Sequence, residues 1–371
     1  MSEQAASAIR AAIAERGPIT FAEFMERALY GAGGFYEQPP IGAERHFVTS
    51  PHVHPVFADL VRFALLQAWE ALGCPEPMRL VELGAGDGTL ARGILLGFDA
   101  AGIAVDYTAV EISPGARECL RALPVHVASS LEEVPTVAPG VVFANELLDN
   151  LPFRRVRRRA DALVEVRVGL ARDRLVEVEV PCDPDLAALA PAGIGDAEEA
   201  VVPTGALALV DVLARTLQRG YTLLIDYGSA GGPAGAVHGY RAHAVLEDVL
   251  AEPGSMDVTA GVDLGLIAAR AEGLGLRAHG IVPQWRALIA LGYERWAEGE
   301  RERQAELLAA RRGLQAARAF EGRSRASLLV DPAALGRLGW LLLSTPGLPA
   351  PPWLTEALAT DRPSRARDRA R

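Results

Sequence analysis

The feature that most constrains this chain is a glycine-stepped segment at residues 81–90, Val-Glu-Leu-Gly-Ala-Gly-Asp-Gly-Thr-Leu. A short apolar run leads into three glycines, and helical spacing begins at Thr89. Gly84 and Gly86 permit a tight turn and let a ligand approach bare backbone. A strand, a glycine turn and a helix in that order predict a βαβ unit with a cofactor at the turn.

Charge and spacing at this turn distinguish between cofactors. The glycines follow G-x-G-x-G rather than the dinucleotide pattern G-x-G-x-x-G, because the sixth position is Thr89. Glu82 and Asp87 would repel a pyrophosphate, whereas S-adenosylmethionine (SAM) has no phosphate and carries a positive sulfonium and a positive amino group. The turn therefore predicts SAM. An NAD-dependent dehydrogenase stays open as the weakest alternative.

The strands that follow supply further cofactor residues. Glu111 ends the second predicted strand, where a carboxylate can accept from both ribose hydroxyls. NAD enzymes share this feature, so Glu111 indicates a nucleoside without identifying it. Ser129 and Ser130 follow the third strand, where the edge of an adenine would lie.

Apolar runs that alternate with helical stretches predict the fold class. It is α/β, a class I methyltransferase (Rossmann-like) fold with a doubly wound, mostly parallel sheet. The predicted core strands are residues 80–83, 107–111, 125–128, 141–144, 222–226 and about 277–282. We divide the chain into a helical N-terminal extension (1–76), a SAM-binding core (77–290) with a β insertion at about 154–204, a helical C-terminal addition (291–360) and a disordered tail (361–371). Helices are predicted near 243–250 and over 293–320.

Several acidic residues follow the fourth and fifth strands. Asn145, Glu146 and Asp149 come after the fourth strand, and Asp226 closes the fifth. Ligands of open α/β sheets bind beyond the carboxyl ends of the strands, so these side chains are expected beside the transferred methyl group. A guanidinium matches carboxylates bidentately, which makes Glu146, Asp149 and Asp226 the candidate catalytic residues. Capping of a helix N-terminus is the alternative role for Glu146 and Asp149.

Composition excludes several classes of protein. The formal net charge is -10, which disfavours a nucleic-acid site despite the arginine run at residues 154–159, predicted to be a solvated face. Three widely spaced cysteines indicate a reducing compartment.

No apolar run is long enough to span a membrane, and residues 1–16 lack the character of a signal or transit peptide, so we expect a cytoplasmic protein. His52 and His54 lack further ligands, and we predict no metal site.

The sequence resembles the MidA family over about residues 17 to 290. The blocks that carry the resemblance are residues 18–21, 28–30, 47–51, 81–90, 110–114, 145–146 with 149 and 151–152, 224–228, 240–241, and 257–260 with 262–263. The resemblance implies a SAM-dependent methyltransferase that acts on protein arginine. Mitochondrial members of the family assist assembly of respiratory complex I by methylating an arginine of one subunit. It also implies that residues 49–51 lie near the cofactor. The candidate cofactor residues are then Thr49, Ser50, Pro51, Glu82, Gly84, Ala85, Gly86, Gly88, Thr89, Glu111, Ile112, Ser129, Ser130 and Asn145.

The chain departs from the family pattern at three places. His52 stands where relatives carry a glutamate, Gly261 where they carry a histidine, and the loop at Tyr240 is shortened. These departures affect the expected substrate more than the expected cofactor. A small-molecule methyltransferase and a non-catalytic SAM-binding assembly factor therefore remain open. The sequence does not identify the methyl acceptor or the oligomeric state.

Overall fold

A seven-stranded sheet lies at the centre of the computed structural model, which describes residues 2–37, 49–191, 193–229, 236–241 and 244–359. The strands in chain order are β1 (Ile19–Thr20), β2 (Met78–Leu83), β3 (Val105–Val110), β4 (His126–Ala128), β5 (Gly140–Asn145), β6 (Arg154–Arg159), β7 (Ala162–Ala171), β8 (Arg174–Pro181), β9 (Glu199–Val202), β10 (Gly220–Asp226), β11 (Gly228–Ser229), β12 (His238–Arg241), β13 (Ala244–Leu246), β14 (Asp257–Thr259), β15 (Val262–Asp263), β16 (Arg277–Pro283) and β17 (Gly339–Ser344). The α-helices are α1 (Ser2–Arg16), α2 (Phe21–Met25), α3 (Ser50–Val53), α4 (Val56–Ala71), α5 (Thr89–Ala100), α6 (Pro114–Leu120), α7 (Pro184–Leu189), α8 (Thr204–Thr216), α9 (Leu264–Gly273), α10 (Gln284–Ala290), α11 (Tyr293–Ala309), α12 (Gly313–Ala326) and α13 (Pro352–Ala359).

The central sheet has the order β16-β17-β10-β5-β2-β3-β4. The strands β4, β3, β2, β5 and β10 are parallel, so they end at one edge of the sheet. Helices cover both faces, and the side chains of β10 alternate between them. Leu223 and Ile225 pack with α4 and α5, whereas Leu224 packs with α8 and α9. Burial on both faces explains why these strands are continuous apolar runs.

The five predicted core strands are present, with ends that differ by one or two residues from the predicted ones, and β16 is the predicted strand near residue 277. The predicted helical addition at 291–360 needs a correction, because β17 enters the central sheet between β10 and β16, antiparallel to both. Its run of Trp340 and three leucines is buried throughout, as expected of a central strand.

Two predicted helices are also wrong. Of the stretch 243–250, residue 243 lies outside the described residues, and Ala244–Leu246 is a strand paired with β12. The charged stretch 293–320 is not one helix but parts of α11 and α12, because the chain reverses at Arg311, which has a φ of 58°. The predicted disordered tail 361–371 also lies outside the described residues.

The β insertion confirms the predicted antiparallel strands after the fourth core strand. Strands β6 to β9 pair with one another and with β1. Alternate arginines of the basic run point to one face of β6, where Arg155, Arg157 and Arg159 pair with glutamates of β8 and β9. The arginine run is therefore neutralised within the insertion.

The N-terminal extension packs against this insertion and supplies one wall of the site described below. Ile9 of α1 and Phe21 and Phe24 of α2 share a buried cluster with Val168 of β7 and Val258 of β14. Thr20 caps α2, since its hydroxyl accepts from the Glu23 N–H at 3.1 Å. A π-helical turn, Glu26–Tyr30, follows and ends at Gly31.

Candidate functional site

A cavity of about 400 Å³ lies at the edge of the sheet where β2, β3 and β5 end. This volume is typical of a site for a small molecule. Of the predicted site residues, those on its wall are Thr49, Pro51, Glu82, Gly84, Ala85, Gly86, Thr89, Glu111, Ile112, Ser129, Asn145 and Glu146. Ser50, Gly88, Ser130, Asp149 and Asp226 are not on the wall.

The glycine turn has the backbone that its sequence requires. Gly84, Gly86 and Gly88 have φ values of 67°, 55° and 79°, a left-handed conformation that glycine adopts without strain. A Cβ on Gly84 would lie 3.0 Å from a methyl group of Leu147, so the turn also packs closely. Helix α5 begins directly after the turn, and its first N–H, on Thr89, donates to Asp87 at 3.0 Å. Gly84 and Gly86 line the cavity, so a ligand can approach the backbone of the turn there.

Glu82 is a buried carboxylate on this wall. Its carboxylate accepts from the Tyr107 hydroxyl at 2.6 Å, and its side chain is almost inaccessible to water. Burial raises the pKa of Glu82 to about 8, and the nearby charges of Glu111 and Asp87 add to this effect. No arginine neutralises it in the described part of the chain. A ligand with an ammonium group would supply the missing positive charge.

Glu111 tightens the same turn from the end of β3. Its two oxygens accept from the Gly86 and Ser113 N–H groups, each at 2.8 Å. Burial raises the pKa of Glu111, and these hydrogen bonds oppose the rise. Each carboxylate oxygen can accept a second hydrogen bond, so Glu111 fits the two hydroxyls of a ribose.

Asn145 and Glu146 close the cavity beyond β5. Glu146 has a φ of 52°, which is uncommon for a residue with a side chain, and burial raises its pKa to about 7. The Ser50 N–H donates to its Oε1 at 2.8 Å and the Asn145 amide at 3.2 Å, so Oε2 remains able to accept from a substrate. Within the described part of the chain, Asn145 Oδ1 is a buried atom of the wall without a hydrogen-bond partner. Such an orphaned atom at a cavity indicates a ligand contact.

Asp149 and Asp226 lie behind the wall. Asp226 Oδ2 accepts from the N–H groups of Leu147 and Leu148, at 2.9 and 2.6 Å, and Asp149 Oδ2 accepts from the Thr259 hydroxyl at 2.8 Å. Burial raises the pKa of Asp149 to about 6, and the pKa of Asp226 well above its usual range. Both carboxyls hold the loop that carries Glu146. The sequence led us to expect both at the cavity, but neither lines it.

Sequence reasoning missed several residues of the wall. Glu26, Tyr30 and Tyr36 of the N-terminal extension line the cavity, as does Asn150. Asp257 lies behind them and binds both Tyr36 and Asn150. Tyr30 and Asp257 belong to the blocks shared with the MidA family, at residues 28–30 and 257–260, whereas the sequence carried no signal for Glu26, Tyr36 or Asn150.

The wall is strongly acidic. Its carboxylates are Glu26, Glu82, Asp87, Glu111 and Glu146, and no arginine is among the described residues that line it. Among the described residues of the wall, the one basic side chain is His52, which binds Asp87 at 3.0 Å. The cavity therefore favours ligands that carry positive charge. In the described ranges, no group of three or more His, Cys, Asp or Glu side chains is arranged to hold a metal ion.

Comparison with known proteins decides the family. Residues 61–282 match a family model described as "Putative S-adenosyl-L-methionine-dependent methyltransferase". The chain belongs to this family. This SAM-dependent methyltransferase is 30% identical over 311 residues to the mitochondrial protein arginine methyltransferase NDUFAF7 homolog of Drosophila melanogaster, covering 73% of this chain and 70% of that protein. It is 29% identical over 299 residues to the mitochondrial protein arginine methyltransferase NDUFAF7 of Mus musculus, covering 70% and 68%.

A solved structure supports the cofactor of the methyltransferase. The crystal structure of a superfamily member described as a likely methyl transferase, from Burkholderia thailandensis and bound to S-adenosyl-homocysteine, has a TM-score of 0.82 to this chain. The two chains are 27% identical, and the match covers 96% of this chain and 95% of that one. The native crystal structure of an uncharacterized protein of the same superfamily, also from Burkholderia thailandensis, has a TM-score of 0.77 and 28% identity, covering 95% of this chain and 94% of that one. The cofactor of this methyltransferase is SAM, and the buried Glu82, the bare glycine turn and Glu111 fit its ammonium group and ribose.

The expected cytoplasmic location is wrong. The curated relatives of this methyltransferase are named as mitochondrial proteins, which contradicts the expectation drawn from residues 1–16. No helix among the described residues is both long enough and apolar enough to cross a membrane.

Proposed function

We propose that this methyltransferase transfers a methyl group to a guanidinium nitrogen of a protein arginine. The observation that carries the proposal is the acidic wall around Glu146, which has carboxylates and no arginine among its described residues. An arginine side chain brings a permanent positive charge and a planar set of donors that a carboxylate can accept. The relatives named protein arginine methyltransferases support the same substrate class.

Glu146 is the residue we assign to the substrate. SAM supplies an activated methyl group when bound. The carboxylate of Glu146 is positioned by Ser50 and Asn145 through Oε1, so Oε2 is free to accept from a guanidinium N–H. That contact would draw positive charge to the bound nitrogens and leave another nitrogen as the nucleophile. The carbon–sulfur bond would break as the new carbon–nitrogen bond forms, S-adenosylhomocysteine would leave, and the methylated nitrogen would lose its proton to solvent. Asp149 and Asp226 fix the Glu146 loop instead of contacting the substrate.

The residues that we assign to the cofactor surround the glycine turn. Glu82 would bind the ammonium group, Glu111 the ribose, and Ser129 the adenine edge. Thr49, Pro51, Gly84, Ala85, Gly86, Thr89, Ile112 and Asn145 complete the set on the wall. Ser50, Gly88 and Ser130 act from behind it, with Ser50 holding Glu146.

The acceptor protein is a further proposal. The resemblance to the MidA family implies a subunit of a respiratory complex I-type enzyme, and an arginine-bearing segment of such a subunit is the substrate we would test first. A small molecule with a guanidinium or amine is the alternative, since it would use the same cofactor residues and the same acidic wall.

The first experiment measures SAM binding by titration calorimetry. Gly86→Val and Glu111→Gln are expected to weaken SAM binding by at least about tenfold, because they remove the space and the acceptor for the nucleoside. Glu118→Gln is the matched control, since Glu118 is an exposed acid. Absence of saturable SAM binding by the unmodified protein would contradict the cofactor assignment.

The second experiment follows methyl transfer from labelled SAM to arginine, lysine and citrulline peptides. We expect transfer to arginine alone. Glu146→Gln should lower kcat by roughly a hundredfold or more and change the SAM Kd less than threefold, about the effect of removing one positioned charge from a transition state. SAM binding without transfer to any peptide would favour the non-catalytic assembly factor. Transfer to a small molecule only would favour the alternative.

A further inference from the structure

Two tyrosines of the N-terminal extension are stacked at the cavity wall. The ring centroids of Tyr30 and Tyr36 lie 5.4 Å apart, and the rings are nearly parallel, with an angle of 11° between their planes. Both residues line the cavity. Tyr30 ends the π-helical turn, and Tyr36 lies in the short helical turn Phe35–Glu37. Single π-helical turns are frequent at functional sites.

The hydroxyls of the pair are already used within the protein. Tyr30 donates to the carbonyl of Asn150 at 2.9 Å, and Tyr36 donates to Oδ1 of Asp257 at 3.1 Å. The Asn150 amide donates to both oxygens of Asp257 at 3.0 Å, which ties the two anchors together. A ligand in the cavity therefore meets aromatic rings at this wall, with both hydroxyls engaged elsewhere.

The anchors of the pair belong to the acceptor side of the site. Asn150 lies on the same loop as Glu146, and Asp257, on β14, accepts from the Asn150 amide. Glu26, on the π-helical turn that ends in Tyr30, adds a carboxylate to this wall. An aromatic wall flanked by carboxylates is the combination that binds organic cations, because the ring faces carry negative potential.

We propose that Tyr30 and Tyr36 form an aromatic wall that holds the cationic side chain of the acceptor next to Glu146. Asn150 and Asp257 are positioning residues for the two rings. This inference rests on the proposed function, since it takes a guanidinium as the acceptor group. It predicts that a flat, charged side chain is bound better than a neutral side chain of the same shape, even before any methyl transfer.

The test separates the ring from its hydroxyl. Tyr36→Leu removes the ring, whereas Tyr36→Phe keeps it and loses only the hydrogen bond to Asp257. We expect Tyr36→Leu to raise KM for an arginine peptide by about tenfold, within the range of a desolvated cation–π contact, with an unchanged SAM Kd. For Tyr36→Phe, KM for the same peptide should stay within about threefold of the value for the unmodified enzyme. Tyr30→Leu and Tyr30→Phe form a second pair in case a Tyr36 variant does not fold, as judged by its melting curve.

Three results would overturn the inference. Equal increases in KM for the leucine and phenylalanine variants would show that the hydrogen bond matters and the ring does not. A parallel rise in the SAM Kd would assign the tyrosines to the nucleoside. Equal affinity of the unmodified protein for arginine and citrulline peptides would exclude recognition of the cation.

The same peptides distinguish failure of this inference from failure of the proposed function. If the protein transfers no methyl group to arginine, the proposed function fails, and peptide affinity is measured at saturating SAM without turnover. Preference for arginine over citrulline that Tyr36→Leu abolishes would then still support the aromatic wall. No such preference would overturn it.

Discussion

Nε2 of His52 lies 3.0 Å from Oδ2 of Asp87, which joins the N-terminal segment to the glycine turn. Nδ1 of the same ring lies 2.8 Å from the Thr49 hydroxyl. Burial alone would raise the pKa of Asp87, but the hydrogen bonds from His52 and Thr89 outweigh burial and lower this pKa. The ring of His52 therefore bridges Thr49, which directly precedes α3, and Asp87 of the glycine turn.

Replacing His52 tests whether this contact supports cofactor binding. His52→Glu would place two carboxylates at hydrogen-bond distance, and we expect the SAM Kd to rise by about tenfold, equivalent to roughly 1.4 kcal/mol. The glutamine of His52→Gln can still donate to Asp87, so the SAM Kd of this variant should stay within about threefold of the value for the unmodified protein. Calorimetric titration of the two variants measures the difference. Equal affinities would show that the contact is irrelevant to the cofactor.

The cofactor half of the site could be predicted because its signals are local. Glu82, the glycines and Glu111 occupy fixed places on consecutive strands, and the parallel sheet brings their ends together. The rule that ligands bind beyond the carboxyl ends of parallel strands also placed Asp226 at the correct end of β10. It could not show that the N–H groups of Leu147 and Leu148 turn this carboxyl away from the cavity.

The wall formed by Tyr30 and Tyr36 depends on contacts between distant parts of the chain. Tyr36 meets Asp257 and Tyr30 meets Asn150, pairs that no periodicity in the sequence connects. Strand β17 was missed for a related reason. It follows a long charged helical region, and only its place between β10 and β16 shows that it is a central strand.

The pH dependence of catalysis tests the role of Glu146. Burial raises the pKa of Glu146 to about 7, so the free enzyme holds a neutral carboxyl below this pH and a carboxylate above it. Since the carboxylate is the form that binds a guanidinium, kcat/KM for an arginine peptide should rise by about tenfold from pH 6 to pH 8. Steady-state rates over this range measure the profile. Glu146→Gln should remove the rise, and a rate that falls with pH in the unmodified enzyme would contradict the assignment.

The stability of the ligand-free protein should fall as pH rises from about 6.5 to 8.5. Burial raises the pKa of Glu82 to about 8, and of Glu146 and Asp257 to about 7. A group whose folded pKa is raised stabilises the fold below its unfolded pKa, and this contribution is lost as pH rises through the folded pKa. Partial burial lowers the pKa values of His54 and His279, so these two half-buried side chains act in the opposite sense only up to their usual pKa of 6.5.

Melting curves across this pH range check the sign. Glu82→Gln removes one ionisation and should give a shallower decline in Tm, whereas the exposed control Glu118→Gln should follow the unmodified protein. Saturating SAM should also flatten the decline, because its ammonium group favours the charged form of Glu82. A Tm that rises between pH 6.5 and 8.5 would show that these carboxyls are not buried as described.

Arg155 links the stability of the β insertion to the N-terminal extension. Its buried guanidinium binds Glu199 through Nε at 2.6 Å and through Nη2 at 2.9 Å, contacts Glu177, and lies 4.7 Å from the centre of the Phe21 ring in α2. Arg155→Met would leave both glutamates with only Arg157 as a partner. We expect a loss of about 2 to 3 kcal/mol in the free energy of unfolding.

Urea unfolding of Arg155→Met and Arg159→Met measures this contribution against a matched change. Arg159 belongs to the same strand face, but 45% of its side chain is exposed, so its salt bridge to Glu179 should contribute less than about 1 kcal/mol. Salt should also weaken the Arg159 contribution more, because exposed pairs are screened. Equal losses from both variants would show that the arginine run acts only through surface charge, and that Phe21 gains nothing from the guanidinium beside it.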